Sequence, residues 1–137
     1  MNGLEFLRAI ASGDAPGAPI AELMGFGSVE AEEGRVVFAA TPGPQHYNPI
    51  GTVHGGLAAT LLDSAMGCAV HTTLPEGAGY TTLELKVNFT RPILADTGRI
   101  LCEGIVLHRG GRVATAEGRV TAADSGALLA HGTTTCL

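Results

Sequence analysis

One stretch constrains this chain more than any other. Residues 55–73 read as a long helix without a polar face: leucine, alanine and methionine fill it, and no proline interrupts it before Pro75. Apolar residues occur all round it, which predicts a buried helix rather than an amphipathic one. Most of the chain beyond it reads as strand. From Thr82 to Thr90 the chain alternates strictly, with Leu83, Leu85, Val87 and Phe89 apolar and polar residues between them, the period of a strand with one buried face. Arg91-Pro92 ends that strand. Residues 97–108 and 112–122 read as strands joined by a tight turn at Gly110-Gly111, and 127–136 comes after a turn at Asp124-Ser125-Gly126. Upstream, Ser28–Glu32 and Arg35–Thr41 form a hairpin turning at Glu33-Gly34, and Pro42-Gly43-Pro44 closes it. Residues 44–54 read as a loop.

One long helix among antiparallel strands leaves few solutions. The expected fold class is α+β, an antiparallel sheet wrapped around one long central helix, with its open side inviting a partner copy. The length of 137 residues fits a single domain, 1–137. Residues 1–24 form an N-terminal helical extension: Leu4, Leu7 and Ile10 recur at helical spacing, Gly13 stops the run, and Ile20 to Met24 add a further turn.

Charge narrows the function. A net charge of -5 argues against nucleic acid as a partner, although six of the eight Lys and Arg lie between Lys86 and Arg119. An anionic ligand would be met there. Cys68, Cys102 and Cys136 have no metal-binding or disulfide-framework spacing, which predicts a reduced, cytoplasmic protein without a metal. His46, His71, His108 and His131 show no metal spacing either. No signal peptide is visible, and the longest apolar run, Leu57 to Val70, is broken by Asp63 and too short to span a bilayer, so no membrane role is expected.

The chemistry gathers at one place. Asn48-Pro49-Ile50-Gly51-Thr52-Val53-His54-Gly55-Gly56 runs into the helix, and Asp63 lies within it. Gly55 and Gly56 open the helix, so their N–H groups lack intrahelical partners and sit at its positive end, a setting for an oxygen gaining negative charge. They also serve a tight turn equally well. Asp63 is the only charge in the helix. No Lys or Arg stands three or four residues away, which makes it either a general base or a solvated surface residue. His54 reads as a loop cap or a ligand contact. Asn48 reads as a turn initiator or an amide that meets a carbonyl or water.

N-P-I-G-T-V-H-G-G, Asp63 nine residues after His54, and T-T-L-E-L-K-V-N-F-T-R-P over 81–92 together resemble the PaaI-type hotdog thioesterases. The likeness in layout spans roughly residues 25–137. It implies a hotdog fold and hydrolysis of an acyl-CoA thioester to a free acid and CoA, with CoA as part of the substrate and no other cofactor. It implies that the Gly55 N–H polarises the carbonyl, that Asn48 holds the carbonyl or water, that Asp63 activates water or attacks directly, and that Thr82 orients the water. It also implies a homodimer or homotetramer with the site at the subunit interface, Asn48, His54 and Gly55 from one copy and Asp63 and Thr82 from the other. Gly56 belongs with the substrate-binding turn, and Arg91, Arg109 and Arg112 are expected at the CoA phosphates. Gly67 stands where relatives carry a Thr that supports the site, so that support is expected from Thr60, Ser64 or the partner subunit. A hotdog acyl-thioester dehydratase, which pairs a His with the carboxylate, and a non-catalytic acyl-CoA binding module remain as alternatives.

Overall fold

The computed structural model describes residues 1–137. Its elements are α1 (Gly3–Ser12), α2 (Pro19–Met24), β1 (Phe26–Glu32), β2 (Arg35–Ala40), α3 (Gly55–His71), β3 (Thr82–Phe89), β4 (Ile100–Arg109), β5 (Ala114–Ala122) and β6 (Leu128–Cys136), with short 3-10 turns at Pro44–His46 and Ala95–Thr97. The six strands form one sheet in the order β1-β2-β4-β5-β6-β3, every neighbour antiparallel. Helix α3 lies along one face of this sheet, the hotdog arrangement expected from the sequence.

A row of glycines explains how closely helix and sheet approach. Gly104 on β4 pairs with Gly118 on β5, which pairs with Gly132 on β6. A Cβ on Gly118 would stand 2.9 Å from a Leu62 methyl, and one on Gly104 would collide with the Ala65 backbone. Three side chains are absent from one line across the sheet: the α3 backbone fills the space at Gly104, the Leu62 and Met66 side chains fill it at Gly118, and the Lys86 carbonyl of β3 stands over Gly132. Leu61, Leu62, Ala65 and Met66 are then fully buried against Val36, Ile100, Cys102, Ala116 and Val120. This packing, rather than aromatic bulk, builds the core.

Two expectations need correction. Helix α3 is not buried all round: Gly56, Thr60, Asp63, Ser64, Cys68 and His71 form a side that is only partly buried. One sheet covers only one side of a helix, and nothing in this chain roofs the whole of the other. Strand β3 differs too. Its apolar residues are largely open to solvent, with Leu83 56 %, Leu85 37 % and Phe89 57 % exposed. The reason is its place at the sheet edge, where it is paired on one side only, to β6.

Its alternation is also interrupted. A register shift lies between Thr82 and Glu84, so Thr82 stands opposite Cys136 while Leu85 stands opposite Thr134. Cys136 and Thr134 are two apart on β6 and share a face. Thr82 therefore joins Leu85, Val87 and Phe89 on the helix side, which an uninterrupted strand would forbid.

The N-terminal extension is docked onto this frame. Asn2 and Glu5 cap α1 reciprocally. Gly3 N–H donates to the Leu74 carbonyl at 3.1 Å, the Phe6 ring meets the His71 ring at 5.7 Å, and Arg8 Nε donates to the Ala31 carbonyl at 3.1 Å. No helix is long and apolar enough to cross a membrane.

Candidate functional site

The loop that leads into α3 is built by its own polar side chains. Asn48 Oδ1 accepts from Ile50 N–H and Thr52 N–H, both at 3.1 Å, and its Nδ2 donates to Thr52 Oγ1 at 2.8 Å. Asn48 thus holds the 48–52 turn and keeps one amide hydrogen to offer. His46 braces the loop from behind: Nδ1 accepts from Gly43 N–H at 3.1 Å, leaving Nε2–H to donate to the Met24 carbonyl at 2.7 Å. His54 N–H in turn donates to the His46 carbonyl at 2.7 Å.

His54 is the N-cap of α3, and its Nδ1 accepts from Gly56 N–H at 2.8 Å. The capping alternative is therefore the one realised. It also alters the expectation for the glycine pair, because the Gly56 donor is occupied. Gly55 N–H has no acceptor within the chain and stands at the positive end of a 17-residue helix. One free donor remains where two were expected. His54→Ala should cost about 1 kcal/mol of stability, the worth of an N-cap. Denaturant melts of the two proteins measure it, and an unchanged midpoint would mean the cap contributes nothing.

Gly55 faces a cavity of about 400 Å³ between the start of α3 and the end of β3, shared with His54, Ala58, Phe89 and Arg91. A Cβ on Gly55 would come within 2.9 Å of the tip of the Phe89 ring. The missing side chain keeps the backbone open to a ligand on that side.

Asp63 stands two turns further along α3. Thr82 Oγ1 donates to Asp63 Oδ1 at 2.9 Å. The β3 register shift makes this contact possible, because it turns Thr82 towards the helix. Of the residues expected to support the site, Thr60 turns its Oγ1 back to the Gly56 carbonyl at 2.7 Å, and within the chain the hydroxyl on Asp63 is that of Thr82. Gly67 has a different use. A Cβ there would lie 2.8 Å from the Tyr80 hydroxyl, so Tyr80 occupies the space that a side chain at 67 would fill. Tyr80 escapes sequence reading, since it sits in the 74–81 connection; the one available signal is a buried glycine within a helix.

Cysteines complete the surroundings of Asp63. Burial pushes the Cys68 thiol up to about 11, with the Asp63 carboxylate adding to it. Cys136 is also raised, first by burial. Both thiols stay protonated near neutrality and offer no thiolate nucleophile. Burial likewise raises the Tyr80 phenol. No group of three or more His, Cys, Asp or Glu side chains could hold a metal ion.

The expected site residues fall into separate groups within one chain. Asn48, His54, Gly55 and Gly56 cluster at the start of α3, with Arg91 in the same cavity as Gly55. Asp63 and Thr82 form a second group. Arg109 and Arg112 line a cavity with Tyr80 and Cys136, beyond Asp63 at the far end of α3. Gly55 and Asp63 are eight residues apart, so the helical rise separates them by about 12 Å.

The chain is similar to known proteins in both sequence and structure. Residues 50–128 match the family model described as thioesterase superfamily. Human acyl-coenzyme A thioesterase 13 is 32% identical over 105 residues, 76% of this chain and 73% of that enzyme. A protein of Halobacterium salinarum named as a candidate esterase is 41% identical over 78 residues, 55% of this chain; the match spans 50% of that relative's length. Among solved structures, a phenylacetic acid degradation-related protein of Ralstonia eutropha superposes with a TM-score of 0.84 at 28% identity, covering 95% of this chain and 97% of that one. The PaaI protein of Escherichia coli superposes equally well, TM-score 0.84, at 19% identity, with 97% and 93% covered, which speaks for the fold alone.

Proposed function

The chain belongs to the thioesterase superfamily, and we propose that it hydrolyses acyl-CoA thioesters to a free carboxylic acid and CoA. The observation that carries the proposal is Asp63, held by the Thr82 hydroxyl at 2.9 Å on an otherwise uncharged helix. In this reading a thioester carbonyl oxygen accepts from Gly55 N–H at the positive end of α3. Water attacks the carbonyl carbon while Asp63 takes its proton, and Thr82 fixes the carboxylate. Negative charge builds on the carbonyl oxygen, where the free N–H and the helix end favour it. Collapse expels the CoA sulfur, which leaves as thiol with the proton from Asp63. Attack by Asp63 itself, through a mixed anhydride, uses the same groups.

The reacting centre must lie within hydrogen-bond reach of both Gly55 and Asp63. About 12 Å of helix separates them in one chain, so one subunit cannot supply both. A two-fold dimer can: Asn48, His54 and Gly55 of one copy meet Asp63 and Thr82 of the other. Strand β3 supports this arrangement, since it is an unpaired edge bearing exposed Leu83, Leu85 and Phe89. In this reading Arg91, which shares the Gly55 cavity, would meet a CoA phosphate on that side, and Arg109 and Arg112 would approach with the partner's Asp63. His54 Nδ1 is spent on its cap, which leaves Nε2 alone for the acid–base role that a dehydratase would ask of it.

Thiol release measured over a panel of acyl-CoAs tests the activity, and turnover of at least one is expected. Tight acyl-CoA binding with no thiol released would support a binding module instead. Leu85→Lys should convert the assembly to monomers in analytical ultracentrifugation and lower kcat/KM by about 100-fold or more, as loss of half of each site requires. A fully active monomer would refute the shared site.

A further inference from the structure

We propose that the cavity beneath the N-terminal helices receives the acyl group of the substrate, so that residues 1–24 decide which acyl groups are accepted. The assignment rests on the thioesterase reading. It concerns a segment outside the residues 50–128 that match the family model.

Helices α1 and α2 do not lie flat on the core. Between them, the β1–β2 hairpin and α3 remains a cavity of about 360 Å³, within the range that holds small ligands. Its roof is Leu7 and Ile10 from α1 and Ala21 from α2. Its wall is Phe26 and Phe38, whose rings meet edge to face at 5.5 Å. Its floor is Ser64 and Cys68 of α3. The volume takes roughly a dozen heavy atoms at about 30 Å³ each, the size of a medium-length acyl chain.

Two further observations point to an occupant. Ser28 lines the cavity and pairs with Phe38, so its side chain shares the inner face with Phe26 and Phe38. Its hydroxyl is sealed from solvent and has no hydrogen-bond partner. A buried hydroxyl left unpaired is unfavourable, and a hydroxyl or keto oxygen carried along a bound acyl chain would satisfy it. The floor also comes near Asp63 through Cys68. Cys68, one turn beyond Ser64, touches the cavity with a thiol close enough to feel the Asp63 charge.

Two variants and a chain-length series test the assignment. Ala21→Phe fills the cavity from its roof, and Ile10→Ala enlarges it. kcat/KM is measured for straight-chain acyl-CoAs from acetyl to palmitoyl, with circular dichroism to verify folding. Ala21→Phe should lose about ten-fold or more on decanoyl-CoA relative to butyryl-CoA, the discrimination expected when chain atoms are excluded from a pocket. Ile10→Ala should move the optimum to longer chains. If Ala21→Phe does not fold, Ile10→Ala decides alone. A wild-type chain-length profile in the folded variants, or a fall uniform across the series, overturns the assignment and leaves the thioesterase reading standing. A wild-type protein that hydrolyses none of the series overturns that reading itself.

Discussion

Asp63→Asn lowers kcat for thioester hydrolysis by about 10³-fold or more, with melting temperature and oligomeric state close to those of the wild type. The size of the loss follows from what the substitution removes. Asparagine has the same shape and keeps an oxygen for the Thr82 hydroxyl, so the 2.9 Å contact survives. It removes the basic carboxylate, whose contribution as a general base is typically about 10²- to 10⁴-fold. If Asp63 attacks directly, the loss is larger, because no covalent route remains. Stability changes little, since Asp63 is only partly buried and its one side-chain partner is retained. Thiol release at saturating substrate, paired with a thermal melt, measures both halves. Near wild-type turnover would remove Asp63 from the reaction.

Gly55→Pro is the second large effect, a loss of about 10²- to 10³-fold in kcat, the usual worth of one donor to a developing oxyanion. Few positions in a protein allow a backbone N–H to be deleted cleanly, and this one does. Gly55 is the first residue of α3, where proline is well tolerated because that N–H has no intrahelical acceptor. The residue before a proline must be extended, and His54 already is, at φ -60 and ψ 135. The cost is a new Cβ contact with Phe89, whose exposed ring can move aside. Gly55→Ala carries the same Cβ and keeps the N–H, so the ratio of the two variants isolates the hydrogen bond from the contact. Equal rates for proline and alanine would show that the N–H stabilises nothing in the transition state.

Much of the fold is legible in the sequence because it depends on periodicity. The strict alternation of 82–90, the apolar run of 55–71 and the turns at Glu33-Gly34 and Asp124-Ser125-Gly126 each specify an element locally. Burial is not legible in the same way. Whether Leu85 and Phe89 are covered depends on where β3 sits in the sheet, and strand order is a long-range property. The register shift at Thr82–Glu84 has no local signature either, yet it carries Thr82 to Asp63. The glycine row at Gly104, Gly118 and Gly132 can be read only once the strands are aligned.

The site is legible in its residue types and less so in their use. His54-Gly55-Gly56 marks a helix start, but the competition for the two N–H groups is settled by His54 Nδ1, which takes Gly56 and leaves Gly55. Asn48 spends most of its amide on the 48–52 turn. The three arginines look like one cluster in sequence and occupy two cavities in space, Arg91 near Gly55 and Arg109 with Arg112 near Tyr80. Tyr80 over Gly67 has no pattern to announce it.

Subunit complementation asks whether each proposed reaction site is shared between two copies of the chain. Asp63→Asn and Gly55→Pro are each expected to be nearly inactive alone. Unfolded together in equal amounts and refolded, they form mixed dimers in which one site carries both defects and the other carries neither. A shared site predicts that thiol release recovers to about one quarter of the wild-type rate, because about half of the dimers are mixed and each has one intact site of two. Activity that stays at the level of the separate variants, in mixtures verified to contain mixed dimers, would contradict the shared site and place Gly55 and Asp63 in the service of the same subunit.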